Sequence, residues 1–412
     1  MLFNSYIFIS LFLPITLTGF YLIGGQGHHR AATGWLVCAS LFFYGWWNPA
    51  YLGLILGSVL FNYAVGVLLG NRDTKNLRVI LALGIGGNLG LIGCFKYANF
   101  FVDNINLSFG SDFHLETIIL PLAISFFTFQ QIAYLVDAYR GETKEYNFLH
   151  YCLFVTFFPQ LIAGPIVHHK EMLPQFAKDV IYRLKHENIA IGIAIFVLGL
   201  FEKVVLADQV AVYATPVFNA AEQGLDLTFF EAWSGALAYT LQLYFDFSGY
   251  SDMAIGLARM FGILLPLNFH SPYKALNITE FWRHWHMTLS RFLRDYLYIP
   301  LGGSRRGQTQ RYINLMITMI LGGLWHGAGW TFVAWGTLHG FYLIVHHGWR
   351  AFRKAINQDL NRRSRLGRGT ARIVTFAGTA LSRLERNARC AFPRVHQVRV
   401  RNPQDVRNEG MF

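Results

Sequence analysis

A histidine between two apolar segments is the first residue placed to do chemistry. His326 lies in the segment 324–330, whose sequence is LWHGAGW. Its neighbours Gly327 and Gly329 carry no side chain, so backbone or substrate can approach closely. Ionisable residues inside membrane segments are costly and are functional candidates for that reason, and histidine is the commonest general base near neutral pH. The alternative is a core histidine that is hydrogen-bonded to a helix neighbour.

The segment 281–290 carries two more histidines, His284 and His286. They are two residues apart and point to different faces of a helix, whereas a helical metal pair is spaced i,i+4. His286 lies nearer the buried stripe, and its alternative role is structural packing under aromatic residues. Arg283 is a candidate for binding a lipid phosphate or a phosphorylated donor; the alternative is a solvated basic face.

Two acids in a span-like segment form the third candidate. Asp246 and Asp252 lie in the segment 244–252. They are placed to orient histidines or to line a polar tunnel, and the alternative is a satisfied structural hydrogen bond. His339, in an apolar run thirteen residues after His326, is a weaker candidate.

Motifs of other enzyme classes are absent from the sequence. It contains no GxGxxG, Walker, GxSxG or HExxH sequence. None of the four cysteines forms a CxxC pair and three lie in apolar runs, so they indicate small buried hydrophobic residues and no zinc site. No metal is expected.

The composition places these candidates in a membrane protein. Hydrophobic residues make up 53% of the 412 residues and charged residues 14%, against about 25% charged in soluble domains. Lipid forces a spanning backbone to satisfy its own hydrogen bonds, so the spans are predicted to be helices. The predicted spans are 5–23, 35–47, 50–69, 77–95, 117–136, 148–167, 187–206, 229–247, 250–265, 312–324 and 330–347.

Several of these segments depart from simple crossing helices. The first apolar run lacks a basic n-region and indicates a retained first span. Loop charges put the N-terminus outside the cytoplasm, but the basic residues at 170–185 break this scheme, so 148–167 is predicted to dip in and return. The run 312–324 is short enough for a half-span. In the polar stretch 266–311, Asn277 or Thr279 is predicted to cap one amphipathic helix beginning near Glu280.

The basic charge of the chain lies in its C-terminal tail. Residues 350–412 hold 15 Lys and Arg against 4 Asp and Glu, whereas the preceding residues are nearly balanced at 20 and 19. The sequence therefore predicts a membrane domain at 1–348 and an Arg-rich tail at 349–412, with no ordered structure beyond about 355 and no nucleic-acid partner. A truncated or frame-shifted C-terminus is one hypothesis for the tail. The other is a genuine basic tail held at anionic lipid headgroups.

Four segments together resemble the membrane-bound O-acyltransferase (MBOAT) family. The resemblance is to its bacterial branch, which includes the alginate O-acetyltransferases, and more distantly to the D-alanyl transferases. It covers about residues 1–348, and the combined set is specific although no single motif is. The matching segments are 158–166, 244–252, 277–303 and 322–330.

The resemblance implies a fold and a site. The fold would be all-α, a polytopic ring of transmembrane helices around a central tunnel with re-entrant and interfacial helices. His326 would be catalytic, and His286 would be the second important histidine. The residues expected to contact substrate are Trp325, Trp282, Arg283 and Asp246.

The resemblance also implies a reaction and its participants. Acetyl groups would pass from a cytoplasmic donor, acetyl-CoA or another acyl thioester, with no tightly bound cofactor. They would cross the bacterial inner membrane for acetylation of an exported polysaccharide such as alginate. The expected partners are the lipid bilayer, periplasmic acetyltransferase proteins and the polysaccharide acceptor, reached directly or indirectly.

Two other classes remain compatible with broken helices and intramembrane histidines. One is a transporter or flippase of a lipid-linked saccharide. The other is a non-catalytic membrane scaffold of an exopolysaccharide export complex. The sequence shows no internal repeat and no paired interrupted segments in two halves, which disfavours the transporter.

Overall fold

The computed structural model describes residues 1–71, 73–116, 118–142, 147–356, 370–377 and 379. Every regular element in these ranges is helical, as the apolar runs predict. The first half of the chain holds α1 (Leu13–Gly25), α2 (His29–Gly45), α3 (Ala50–Gly70), α4 (Leu77–Ile92), α5 (Ala98–Phe109), α6 (Ile124–Arg140), α7 (Phe148–Thr156), α8 (Phe158–Leu161) and α9 (His169–Phe176).

The second half adds seven α-helices up to Ala355. They are α10 (His186–Phe201), α11 (Asp208–Glu222), α12 (Phe229–Met260), α13 (Ile278–His284), α14 (Met287–Leu293), α15 (Gln308–His326) and α16 (Trp330–Ala355). Single π-helical turns extend α1 at its start and α14 at its end, over Phe8–Phe12 and Arg294–Tyr298.

Four helical runs in the described part of the chain are long and apolar enough to cross a membrane. They are Phe8–Gly25, Ala50–Gly70, Leu77–Phe109 and His186–Glu222. Together with the composition they make this chain a multi-pass membrane protein.

The third run overturns one expectation from the sequence. The predicted spans 77–95 and 117–136 leave a loop between them at 96–116, but a π-helical turn, Gly93–Tyr97, joins α4 to α5, and the helix continues to Phe109. No proline or glycine lies between residues 94 and 109, so the polar residues there do not stop the helix. The fourth run is likewise longer than predicted, because the turn Glu202–Ala207 joins α10 to α11.

The predicted spans 229–247 and 250–265 form a single helix. α12 begins at a capping box formed by Thr228 and Glu231 and runs for 32 residues. Gly249 does not interrupt it, because this glycine serves helix packing: a Cβ there would lie 2.6 Å from the carbonyl oxygen of Gly199 on α10. The two helices therefore lie backbone to backbone.

The segment 148–167 is not one crossing helix, and its predicted return to the same side of the membrane stays a prediction. α7 has nine residues, the backbone turns at Phe157, and residues 162–168 are not helical. Nine helical residues rise only about 14 Å, less than half of the hydrocarbon core. Aromatic side chains bury this broken segment, with Phe157 and Phe158 both fully covered.

The amphipathic helix predicted from Glu280 is divided in two. The Asn277 side chain caps α13 by accepting the Glu280 backbone N–H at 3.0 Å, as predicted. The helix then stops at His284, and α14 starts only at Met287. Continuous apolar spacing concealed this interruption.

α15 and α16 form a tight helical hairpin. α15 has 19 residues and is longer than the half-span predicted over 312–324. Glycines face each other across the contact: a Cβ on Gly323 would overlap the carbonyl oxygen of Phe332, and one on Gly336 would overlap that of Met319. Bare backbone at both positions fixes the separation of the two helices.

The chain after α16 is described in part. Residues 370–377 are helical, and the Phe376 ring packs edge-on against Tyr273 at 5.0 Å between centroids. The predictions made for the rest of the Arg-rich tail lie outside the described residues.

The glycine contact predicts a matched pair of variants on α16. Gly336→Ala should lower the melting temperature of the detergent-solubilised protein, since overpacking costs about 1–3 kcal/mol. Gly348→Ala is the control, because a Cβ there meets nothing within 4 Å and alanine favours a helix over glycine. Equal melting temperatures for the two variants, measured by tryptophan fluorescence, would contradict the packing role.

Candidate functional site

His326 is placed at the very end of a helix. It is the last residue of α15, because the next residue, Gly327, has an extended backbone with φ −168° and ψ 154°. The expected room beside Gly327 is filled by the protein itself, since a Cβ there would overlap the Phe332 ring. These contacts fix the turn, and the imidazole remains partly accessible.

Two tryptophan rings flank the His326 imidazole. Trp325 lies 5.0 Å away between centroids at 68°, and Trp335 of α16 lies 5.0 Å away at 85°. Both tryptophans are buried. The indole Nε1 of Trp325 has no hydrogen-bond partner among the described residues. Such a donor is available to a bound group, and the two rings cover part of the imidazole surface.

His286 meets the same tryptophan from another side. Its ring lies 6.1 Å from the Trp325 ring in an edge-on arrangement, and it is 1% exposed. It occupies the gap between α13 and α14 with a left-handed backbone, φ 43°, which is uncommon for a residue other than glycine. The structure thus brings His326 and His286 together around Trp325.

The side chain of Asn268 holds His286 in this strained position. Its Oδ1 lies 3.2 Å from His286 Nδ1, and it accepts hydrogen bonds from the Thr288 backbone N–H at 3.3 Å and the Thr288 hydroxyl at 2.9 Å. The backbone contributes too, because Met287 N–H donates to the Asn268 carbonyl at 2.9 Å. Asn268 is 1% exposed, so these bonds have no water to compete with them.

This arrangement selects one tautomer of His286. The Thr288 backbone N–H is an obligatory donor, so the oxygen of the Asn268 amide must face it. The same oxygen faces His286 Nδ1, which therefore carries the hydrogen. The lone pair then lies on Nε2, which is buried and has no partner among the described residues. Protonating it would bury a charge with no acceptor, so the neutral form is favoured.

The motif 244–252 supports this centre through residues other than its acids. Ser251 Oγ accepts a hydrogen bond from Asn268 Nδ2 at 3.2 Å, and the Phe247 ring packs edge-on against His286 at 4.8 Å. Asp246 instead pairs with Lys203 at 2.6 Å. Its proposed role as a substrate ligand stays a prediction.

The remaining predicted residues lie farther along the same aromatic cluster or at its surface. Trp282 contacts His339 at 5.2 Å between centroids, and His339 in turn contacts Trp335 at 4.6 Å. The cluster therefore reaches from His326 to His339, the weaker candidate. Arg283 is exposed on α13, and its contact with substrate stays a prediction.

Sequence inspection missed Asn268. Its available signal was position: it lies between the 244–252 segment and the two-histidine segment, in a stretch with no helical periodicity. Nothing in the sequence shows that its amide reaches twenty residues forward. Among the described residues, no group of three or more His, Cys, Asp or Glu side chains is placed to hold a metal ion.

The model of the membrane-bound O-acyltransferase family matches residues 138–385, more than half of the chain. The chain belongs to the membrane-bound O-acyltransferase family and is an acyltransferase. Family membership sets aside the transporter and scaffold alternatives.

Individual relatives agree with the family match. The chain is 49% identical over 376 residues to a peptidoglycan O-acetyltransferase of Helicobacter pylori, covering 85% of this chain and 71% of that protein. It is 45% identical over 368 residues to a probable alginate O-acetylase, AlgI, of Pseudomonas putida, covering 88% and 72%. A teichoic acid D-alanyltransferase of Streptococcus thermophilus is 28% identical over 250 residues, covering 58% and 59%.

The Asn268 contacts predict how two substitutions differ. Asn268→Leu leaves the buried Thr288 N–H and His286 Nδ1–H without an acceptor, at about 1–3 kcal/mol each, and should abolish acyl transfer. Asn268→Asp keeps the acceptor oxygen, and Ser251 can rotate to donate to it, so this variant should retain measurable transfer. The comparison uses purified protein at equal folded concentration.

Asn62→Leu is the matched control for the Asn268 variants. Asn62 is a fully buried asparagine that pairs with Asn88, so its loss lowers stability without touching His286. The role of Asn268 would be refuted if Asn268→Leu and Asn62→Leu reduced transfer by the same factor.

Proposed function

We propose that this chain transfers acetyl groups from a thioester donor to a hydroxyl acceptor, with His326 as the general base. The observation that carries the proposal is the position of His326: a partly accessible imidazole at a helix end, held between Trp325 and Trp335. A thioester is already activated, so transfer requires a base, positioning of both substrates and exclusion of water. In this proposal His326 supplies the base, and the flanking rings help to position the substrates and to limit the access of water.

The proposed step is a direct acyl exchange. The acceptor hydroxyl oxygen attacks the thioester carbonyl carbon while His326 takes the hydroxyl proton. The carbon–sulfur bond then breaks, and the proton on His326 passes to the departing sulfur. The products are an ester and a free thiol. A positioned base of this kind contributes roughly 10²–10⁴-fold in rate.

His286 has a different role in the proposal. Its neutral imidazole presents a lone pair on Nε2, and Asn268 prevents the ring from turning. We propose that it accepts a hydrogen bond from a bound substrate, and that the Nε1–H of Trp325, which has no partner among the described residues, donates one. The two histidines thus act as a base and an orienting acceptor.

The acceptor we propose is a polysaccharide exported across the inner membrane. This follows the relatives named for peptidoglycan and alginate, at 49% and 45% identity. The donor, acetyl-CoA or another acyl thioester, would approach from the cytoplasmic side. The acetyl group would reach the polymer directly or through periplasmic acetyltransferase proteins, which are the partners we propose.

Reconstituted protein with a labelled acetyl thioester tests the proposal. We expect His326→Ala to keep the protein folded in the membrane and to reduce acetyl transfer by about 10²-fold or more. Label in the acceptor is followed by scintillation counting, with peptidoglycan fragments and alginate oligomers supplied in parallel. The matched control is His28→Ala, which removes an exposed histidine from the turn before α2.

The outcomes separate the parts of the proposal. Transfer by His326→Ala at the wild-type rate, with equal expression, would refute the catalytic assignment. Transfer to neither polymer by wild-type protein supplied with periplasmic partners would refute the proposed acceptor class. His28→Ala is expected to match the wild type.

A further inference from the structure

Two side chains from the first half of the chain reach the helix end that carries His326. Lys96 and Tyr97 lie in the π-helical turn Gly93–Tyr97, inside the membrane-crossing run Leu77–Phe109. The Lys96 ammonium donates hydrogen bonds to the backbone carbonyl of Trp325 and, at 3.3 Å, to Ser125 Oγ. The Tyr97 hydroxyl donates to the backbone carbonyl of Leu324.

The carbonyls of Leu324 and Trp325 lie in the last turn of α15, where a helix has no backbone donor for them. α15 stops abruptly, because Gly327 turns into an extended backbone. The last carbonyls of a helix have no intrahelical donor and must find one elsewhere. Among the described residues, no backbone N–H of 327–330 donates to Leu324 or Trp325. Lys96 and Tyr97 therefore supply the C-terminal cap of α15, and a positive charge is favourable at that end.

Lys96 is a charged residue inside a helical run that is apolar enough to cross a membrane. Charged side chains inside membrane segments are expensive. No Asp or Glu oxygen of the described residues lies within ion-pair distance of Lys96 Nζ. Lys96 contacts Trp325, Ser125 and the neighbouring aromatic rings. The Lys96 ammonium therefore binds the carbonyl end of α15 and forms no salt bridge among the described residues.

The same helical run also holds the far side of the His326 turn. Asn104 Oδ1 on α5 accepts a hydrogen bond from Trp330 Nε1 at 2.7 Å, and the Phe100 ring packs against Trp330 at 6.0 Å. Residues 96–104 thus touch the chain just before His326 and just after it. One helical run therefore holds the backbone turn that carries His326 on both sides of that residue.

We infer that Lys96 is a positioning residue for the reaction, which holds the catalytic His326 by capping the end of α15. The inference rests on the proposed function of His326. Lys96 does not contact substrate in this account. It sets where the His326 imidazole stands, and Tyr97 shares that task.

Three substitutions separate capping from packing. Lys96→Met keeps the length of the side chain and removes the donor, and we expect kcat for acetyl transfer to fall about 10²-fold with the donor KM unchanged, as for a misplaced catalytic group. Lys96→Gln keeps a neutral donor and should recover about tenfold of that loss. Tyr97→Phe removes the second cap alone and should reduce kcat by a smaller factor.

A second measurement does not depend on activity. Hydrogen–deuterium exchange of the full chain in nanodiscs should show faster amide exchange at 324–332 in Lys96→Met than in the wild type. Asn88→Leu is the matched control: it removes a buried polar pair from α4, in the same helical run but away from His326. We expect it to lower stability and to leave kcat and exchange at 324–332 unchanged.

Each outcome decides one question. Wild-type kcat in Lys96→Met would overturn the inference, and so would equal kcat losses in Lys96→Met and Asn88→Leu. If the wild type transfers no acetyl group but exchange at 324–332 rises in Lys96→Met, the capping role stands and the proposed function fails. If neither exchange nor kcat changes, Lys96 is a structural residue only.

Discussion

The side-chain oxygen of Asn268 is the constraint on which the centre depends. It accepts the Thr288 backbone N–H and hydroxyl and faces His286 Nδ1, all in a buried site. Satisfying these donors requires the backbone at His286 to turn through a left-handed conformation, which costs of order 1–3 kcal/mol. The hydrogen bonds offset that strain. Without them the sequence would favour one continuous helix, and His286 would face elsewhere.

The matching segments are distant in sequence but meet around Asn268 and His286. The 158–166 segment contributes the Ile166 backbone N–H, which donates to the Thr288 hydroxyl at 3.0 Å. The 244–252 segment contributes Ser251, which accepts from the Asn268 amide. Trp325 then links this polar centre to His326 through ring contacts. Three of the matching segments therefore contribute hydrogen bonds to one buried centre, and the fourth contacts it through Trp325.

Sequence reasoning located the important segments but not all of the contacts that they make. Apolar runs predict helices in lipid, and His326 stands out because a polar residue interrupts such a run. The break at His286 left no such mark, since Phe281, Trp285 and Leu289 keep helical spacing across it. Tertiary hydrogen bonds from Asn268 override that local periodicity. In the 244–252 segment the sequence indicated the two acids as candidates. In the structure Ser251 contacts Asn268 and Phe247 contacts His286.

The hydrogen-bond partners of helix ends could not be predicted from the local sequence either. The polar residues of 96–109 suggested a loop, because the sequence does not show that Lys96 and Tyr97 find partners 229 and 227 residues away. Only the folded chain reveals that their hydrogen-bonding groups are satisfied by the backbone of α15. Predictions of elements therefore succeeded where apolar surface decides the outcome, and failed where long-range polar contacts do.

The contact between Lys96 and the end of α15 has a consequence for biogenesis. Residue 96 enters the membrane early in synthesis, and Trp325 follows only after more than two hundred further residues have been made. Contacts of such long sequence separation form late, since the intervening chain must first be closed into a loop. The early helices therefore lie in the bilayer before the Lys96 ammonium has its hydrogen-bond partner on α15. The turn that carries His326 is completed only when the α15–α16 hairpin packs against them.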